Sequence, residues 1–164
     1  MKSHLFVTLI VAILHGTAFG ADGQCFSSIE AFMVNSFGEH YLNDENLFLI
    51  DKKYGKQKFK VSEDRTSGTN YSRSLLIERK DKGVCLLLST PPIAQLNAFS
   101  FNRRGFPVQF ISNDQAPPGL PEHEITYLFD PVNFKYVPIT CKEVMNNGKK
   151  RTKKEVTCKK MLYE

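Results

Sequence analysis

The first twenty residues restrict the fold more than any later stretch, because they set the chemical environment in which the rest of the chain folds. Lys2 and His4 precede an apolar run from Leu5 to Leu14, which exits through Thr17-Ala18-Phe19-Gly20. A short cationic start, an apolar centre and small residues at the exit read as a secretory signal peptide cleaved after Gly20. The run is too short to cross a hydrocarbon layer of roughly 30 Å as a helix. The expected organisation is therefore a removed leader over residues 1–20 and a single domain over residues 21–164. That domain would be periplasmic in a bacterium and extracellular in a eukaryote, with no transmembrane segment.

An exported chain can keep its thiols oxidised. Cys25, Cys85, Cys141 and Cys158 all fall after the leader. An even number suits two disulfides, although four cysteines allow three pairings. Cys25–Cys85 and Cys141–Cys158 are the favoured pair; the second closes a short loop worth about 3 kcal/mol by chain entropy. There is no C-x-x-C, and no histidine stands at ligand spacing from a cysteine, so neither a metal nor another cofactor is expected.

A domain of this length can bury roughly two-thirds of its unfolded surface, enough for a core without a metal. Thirteen Phe and no Trp, with abundant Leu and Ile, supply that core, and charged residues at 24% are ordinary for a globular chain. Ile29, Phe32, Met33 and Phe37 recur at three- and four-residue spacing, behind Ser27 or Ser28 as a cap and before Gly38. That spacing predicts a helix over residues 27–37.

From there the period turns to two. Strands are expected at Leu47–Ile50, Lys58–Val61, Leu75–Ile77 and Val84–Leu88, the last two as unbroken apolar runs covered on both faces. A further hairpin pairs Phe99 and Phe101 with Phe106, Val108 and Phe110. Facing both sets inward requires Phe101 opposite Phe106, around the loop Asn102-Arg103-Arg104-Gly105. Three prolines interrupt residues 113–122, after which strand character resumes at Ile125–Phe129 and Phe134–Thr140. Asn147-Gly148 signals a two-residue turn, yet that turn would set Cys141 opposite Lys154, about 13 Å along the strand from Cys158. A disulfide needs its Cα atoms within roughly 7 Å, so a wider loop centred on Lys149-Lys150 is expected instead. The fold class is α+β: one N-terminal helix on a mainly antiparallel, curled sheet or sandwich of seven to nine strands, with two disulfides.

Charge is uneven. Residues 142–160 carry Lys142, Lys149, Lys150, Arg151, Lys153, Lys154, Lys159 and Lys160 against Glu143 and Glu155 alone. Such a basic hairpin can bind an anionic polymer, lipid headgroups or an acidic protein surface, or can simply keep an edge strand from aggregating. No aromatic residue is interleaved with the cations, so nucleic acid is not favoured. Arg103 and Arg104, at a hairpin tip beside Gly105, suit insertion into a carboxylate-lined cleft. Prolines in the loop Pro117-Pro118-Gly119-Leu120-Pro121 lower the entropy lost on ordering it.

Catalytic signals are thin. Neither H-E-x-x-H nor G-x-S-x-G occurs. Glu122-His123-Glu124 would turn its two carboxylates to one face of a strand and the imidazole to the other. His40, with Glu39, Asp44 and Glu45, lies just past the helix end. Asn70-Tyr71-Ser72 is a formal N-glycosylation acceptor in a eukaryote.

The expectation is an exported binding module and no catalytic residues. Its most concrete form is a protein inhibitor or immunity-type protein that blocks a secreted or envelope-acting enzyme. Its candidate partner-binding residues are Arg103, Arg104, Lys149, Lys150, Arg151, Lys153 and Lys154. The alternatives are a small secreted hydrolase or nuclease using His and carboxylates, and a carrier for an apolar small ligand.

Overall fold

A computed structural model describes residues 23–66, 68–146 and 150–159. The expected leader therefore lies outside the described residues, as do Asn147, Gly148 and Lys149. Among the described residues the chain forms ten strands in two antiparallel sheets and one α-helix, α1 (Ile29–Phe37). In the first sheet the strands are β1 (Cys25–Phe26), β2 (Leu47–Tyr54), β3 (Gln57–Asp64), β4 (Ser72–Arg79) and β5 (Gly83–Ser89), in the order β1-β5-β4-β3-β2. The second runs β10-β9-β8-β7-β6, from β6 (Gln95–Phe101), β7 (Pro107–Asn113), β8 (Glu122–Asp130), β9 (Lys135–Asn146) and β10 (Arg151–Val156). Ten strands exceed the seven to nine expected, because Cys25–Phe26 adds a two-residue edge strand and Arg151–Val156 pairs along its whole length.

The helix begins where a cap was expected, two residues later than the periodicity alone suggests. Ser28 Oγ accepts from the N–H of Ala31 at 3.2 Å, which satisfies one of the free donors of the first turn. Gly38, at φ +80°, ends the helix, its N–H donating to Val34 O. Phe32 and Met33 bury against Phe26, Leu76, Val84 and Leu86. The main core lies between the sheets, where Phe59, Val61, Leu75 and Leu87 of the first meet Phe110, Ile125, Tyr127 and Tyr136 of the second. Strands β4 and β5 are thus covered by helix on one face and by sheet on the other, as their unbroken apolar runs suggest. Edge-on ring contacts fill the interface: Tyr54–Phe110 and Phe110–Tyr136 have centroids 4.9 Å apart.

Two registers differ from expectation. Phe101 pairs with Pro107, and Ala98 with Phe110. The one-residue shift turns Leu96 and Ala98 inward and leaves Phe99 and Phe101 about half exposed. Its cause is the loop, which Asn102 organises. The Asn102 Oδ1 accepts from the N–H groups of Arg104 and Phe106, each at 3.0 Å, and its own N–H donates to Phe106 O. At the other end, Asn146 pairs with Arg151 and Cys141 with Val156. That leaves residues 147–150 between the strands, a loop wider than a two-residue turn as expected but centred one position before Lys149-Lys150, and the Cα atoms of Cys141 and Cys158 lie 5.1 Å apart. Cys25 sits directly opposite Cys85, and both expected disulfides are formed.

The chain crosses between sheets over residues 90–94, and a buried charge fastens that crossing. Arg73 Nε donates to Glu63 at 2.8 Å, while its terminal nitrogens donate to Ile93 O at 2.9 Å and Ala94 O at 3.4 Å. Arg65 adds a second cation on Glu63 at 2.8 Å, stacked 4.0 Å over the Phe48 ring. Burial alone would raise the Glu63 pKa, but hydrogen bonds from Arg73 and Arg65 outweigh it and hold the carboxyl below its ordinary value of 4.5. A lowered carboxyl stabilises the fold fully above that ordinary value and loses its contribution as pH falls through the folded value. Replacing Glu63 with Gln should cost about 3 kcal/mol at pH 7, since it strands a buried guanidinium. The variant should also show a shallower acid limb than the parent when urea midpoints are compared between neutral and acid pH.

Candidate functional site

Strand β7 runs the length of its sheet, so its two ends face opposite ways, roughly 20 Å apart at 3.3 Å per residue. Each end carries a separate group of candidate residues. At one end are the proline-rich loop, the β9–β10 hairpin and the Glu-His-Glu trio. At the other, Arg103 and Arg104 sit between β6 and β7. The structure therefore does not bring the candidate cations of the two hairpins together: β6 and β10 are opposite edges of the sheet as well.

The loop end is built around residues 114–121. Prolines 117 and 118 enter a turn closed by Leu120 N–H on Pro117 O at 3.1 Å, with Gly119 at φ +88°. Leu120 projects from it with 59% of its surface exposed. The neck is held twice. Asp114 contacts the His123 ring Nδ1 at 2.6 Å, and its other oxygen accepts the His123 backbone N–H. On the flank, the side-chain amide of Asn70 exchanges two hydrogen bonds with the backbone of Gln115, at 2.9 and 3.0 Å. The sequon asparagine is thus engaged in holding the loop.

Beside this loop lies an open cleft of about 440 Å³, lined by Gln95, Asn113, Asp114, Glu122, Glu124 and Arg151 among others. Alternation along β8 turns Glu122 and Glu124 into the cleft, as the sequence suggests; His123 is not part of its lining. Both carboxylates are already occupied. Glu124 is paired with Lys153 at 2.7 Å and with Lys142 at 4.0 Å, and Glu122 with Arg151 at 3.6 Å. Two of the candidate cations, Arg151 and Lys153, therefore brace the edge strand β10 from within the chain. Lys150 and Lys154 are exposed, with no ion pair among the described residues. His40 lies apart, exposed in a 3-10 turn over Glu39–Asn43.

The tip end holds a feature that the sequence reading passed over. The β2–β3 turn at Gly55-Lys56 docks on the β6–β7 turn, with Lys56 N–H donating to Gly105 O at 3.0 Å. A side chain on Gly55 would meet the Phe101 ring and Gly105 O at 2.6 Å, so only glycine permits the contact. Docking sets Lys56 against Gly105, next to Arg103 and Arg104, with Lys52, Lys53 and Lys58 on the strands that flank the turn. Lys53 and Lys58 face each other directly across the β2–β3 ladder, a like-charge pairing that costs stability. Among the described residues none of Lys53, Lys56, Lys58, Arg103 and Arg104 pairs with a carboxylate. Lys52, Lys53, Lys56, Lys58 and Lys60 already lie close together in the sequence, and the contact of the two turns adds Arg103 and Arg104 to that end.

The chain matches no protein-family model, and the searches of curated proteins and of solved structures returned no match either. Function rests on the geometry alone.

If the neck of the loop depends on Asp114, Asp114→Ala should release it. Amide hydrogen exchange of residues 115–121 should quicken by roughly tenfold or more, the loss of about 1.4 kcal/mol of local protection, while the β4 and β5 amides keep theirs.

Proposed function

We propose that this protein is an exported binding module of the inhibitor or immunity type, which blocks a secreted or envelope-acting enzyme. The observation that carries the reading is the pinned proline-rich loop. Binding is strengthened when the recognition segment is ordered beforehand, because association then costs less conformational entropy. Here two prolines, the Asp114–His123 neck and the Asn70–Gln115 clasp order the segment in the free protein, and Leu120 stands out from it as an apolar anchor. Lys150 and Lys154 rise from the same end and suit an acidic rim around the partner's cleft.

The hydrolase alternative has less support. The carboxylates of the cleft are neutralised by Arg151, Lys153 and Lys142, and the His123 imidazole is turned to Asp114. The carrier alternative needs room between the sheets, where interlocking rings of Tyr54, Phe110, Phe129 and Tyr136 are packed.

Affinity capture from secreted and envelope extracts tests the reading, with the oxidised protein as bait. A stoichiometric enzyme should be retained at roughly 0.5 M salt, where the Debye length is about 4 Å, and its activity should fall on binding. Leu120→Glu should weaken that capture by about tenfold or more, the scale of a central anchor residue. Retention undiminished by Leu120→Glu, or no enzyme retained, would contradict the proposal.

A further inference from the structure

We propose that the opposite end of the molecule, where the β2–β3 and β6–β7 turns meet, is a docking surface for an anionic phospholipid membrane. Two independent features of that end point there. One is charge: Lys53, Lys56, Lys58, Arg103 and Arg104 are exposed and have no carboxylate partner among the described residues. Cations held close to an anionic bilayer are each attracted to its surface potential, and the gain accumulates. Lys53 and Lys58 stand opposite each other across the ladder, a like-charge juxtaposition that an overlying anion would relieve.

The other feature is apolar. Phe101, whose ring lies against Gly55 in the turn contact, is 47% exposed, Phe99 on the same strand is 49% exposed, and Val132 in the β8–β9 turn, at the same end, is 89% exposed. A polyanion in solution would be satisfied by the cations alone and gives exposed rings nothing to enter. A bilayer offers both: headgroup phosphates for lysine and arginine, and an interfacial layer in which aromatic rings settle. Phe101 is held ready for that, its ring seated on Gly55 and the turn behind it fixed by Asn102. Docked this way, the proline-rich loop at the far end of β7 would face away from the membrane. The inference does not depend on the inhibitor reading.

The chain contains no tryptophan, so Phe101→Trp introduces a single reporter at the point of insertion. Its emission is read with vesicles of phosphatidylcholine alone and with vesicles carrying about 30 mol % phosphatidylglycerol, alongside co-sedimentation of the parent protein. The anionic vesicles should bind both proteins and move the tryptophan emission to shorter wavelength; the neutral vesicles should do neither. Lys56→Glu with Arg103→Glu and Arg104→Glu should reduce binding at least about tenfold, while Leu120→Glu should leave it unchanged. Circular dichroism and thermal midpoints confirm that each variant folds, and Phe101→Ser in the parent, which should also weaken binding, covers a failure of the tryptophan variant. Binding without an emission change, binding to heparin but not to vesicles, or binding to neither would each overturn the proposal.

Discussion

The buried Arg73 guanidinium is the contact on which the arrangement of the rest depends. A cation taken out of water must find a full set of partners or destabilise the fold. Arg73 finds them in three places: Glu63 on the neighbouring strand, and the carbonyls of Ile93 and Ala94 in the segment that carries the chain to the second sheet. Thr90 closes the same region by accepting from the Arg73 N–H, and Tyr71 exchanges two backbone hydrogen bonds with Ile93. Because the acceptors belong to both the first sheet and the crossing, the charge can be satisfied in one relative placement of the two.

That placement has consequences at both ends. With the crossing fixed at the start of β6, the β3–β4 loop lies beside residue 115, where Asn70 can clasp it. At the far ends of the same strands, the β2–β3 and β6–β7 turns come together at Gly55 and Gly105. The proline-rich loop and the cationic tip are therefore products of one packing. At the loop end Glu122 and Glu124 are paired with Arg151 and Lys153, whereas Lys56, Arg103 and Arg104 at the tip have no carboxylate partner among the described residues. The two groups are far apart on the scale of a Debye length of about 8 Å. The molecule thus has two surfaces of different chemistry.

Much of the scaffold could be read from residue order. The three- and four-residue spacing from Ile29 to Phe37 marks a helix because only one stripe of it meets the sheet. The unbroken runs at Leu75–Ile77 and Val84–Leu88 mark strands covered twice. The favoured pairing of Cys25 with Cys85 and of Cys141 with Cys158, one of three that four cysteines allow, is the one formed. What escaped was decided by side-chain hydrogen bonds within a loop and by contacts between distant segments. The register of β6 on β7 hangs on one asparagine side chain within the loop, a local hydrogen-bonding choice that hydrophobic alternation does not encode. The neutralisation of Arg151 and Lys153 depends on acids two strands away in the sheet. Lys52, Lys53, Lys56, Lys58 and Lys60 stand together in the sequence, but that they share an end with Arg103 and Arg104 follows only from the docking of their turn on Gly105. Candidate residues were thus legible by type and local setting, whereas their grouping was not.

The most direct test of this account is residue-level hydrogen exchange on Arg73→Met, which keeps side-chain volume and removes the charge. If Arg73 holds the crossing to both sheets, protection should fall together in residues 90–94, in the start of β6 and in residues 115–121, while the amides of β5 paired with β1 keep theirs. Loss confined to β4 and its immediate neighbours would show that the aromatic core alone places the sheets, and would contradict the account.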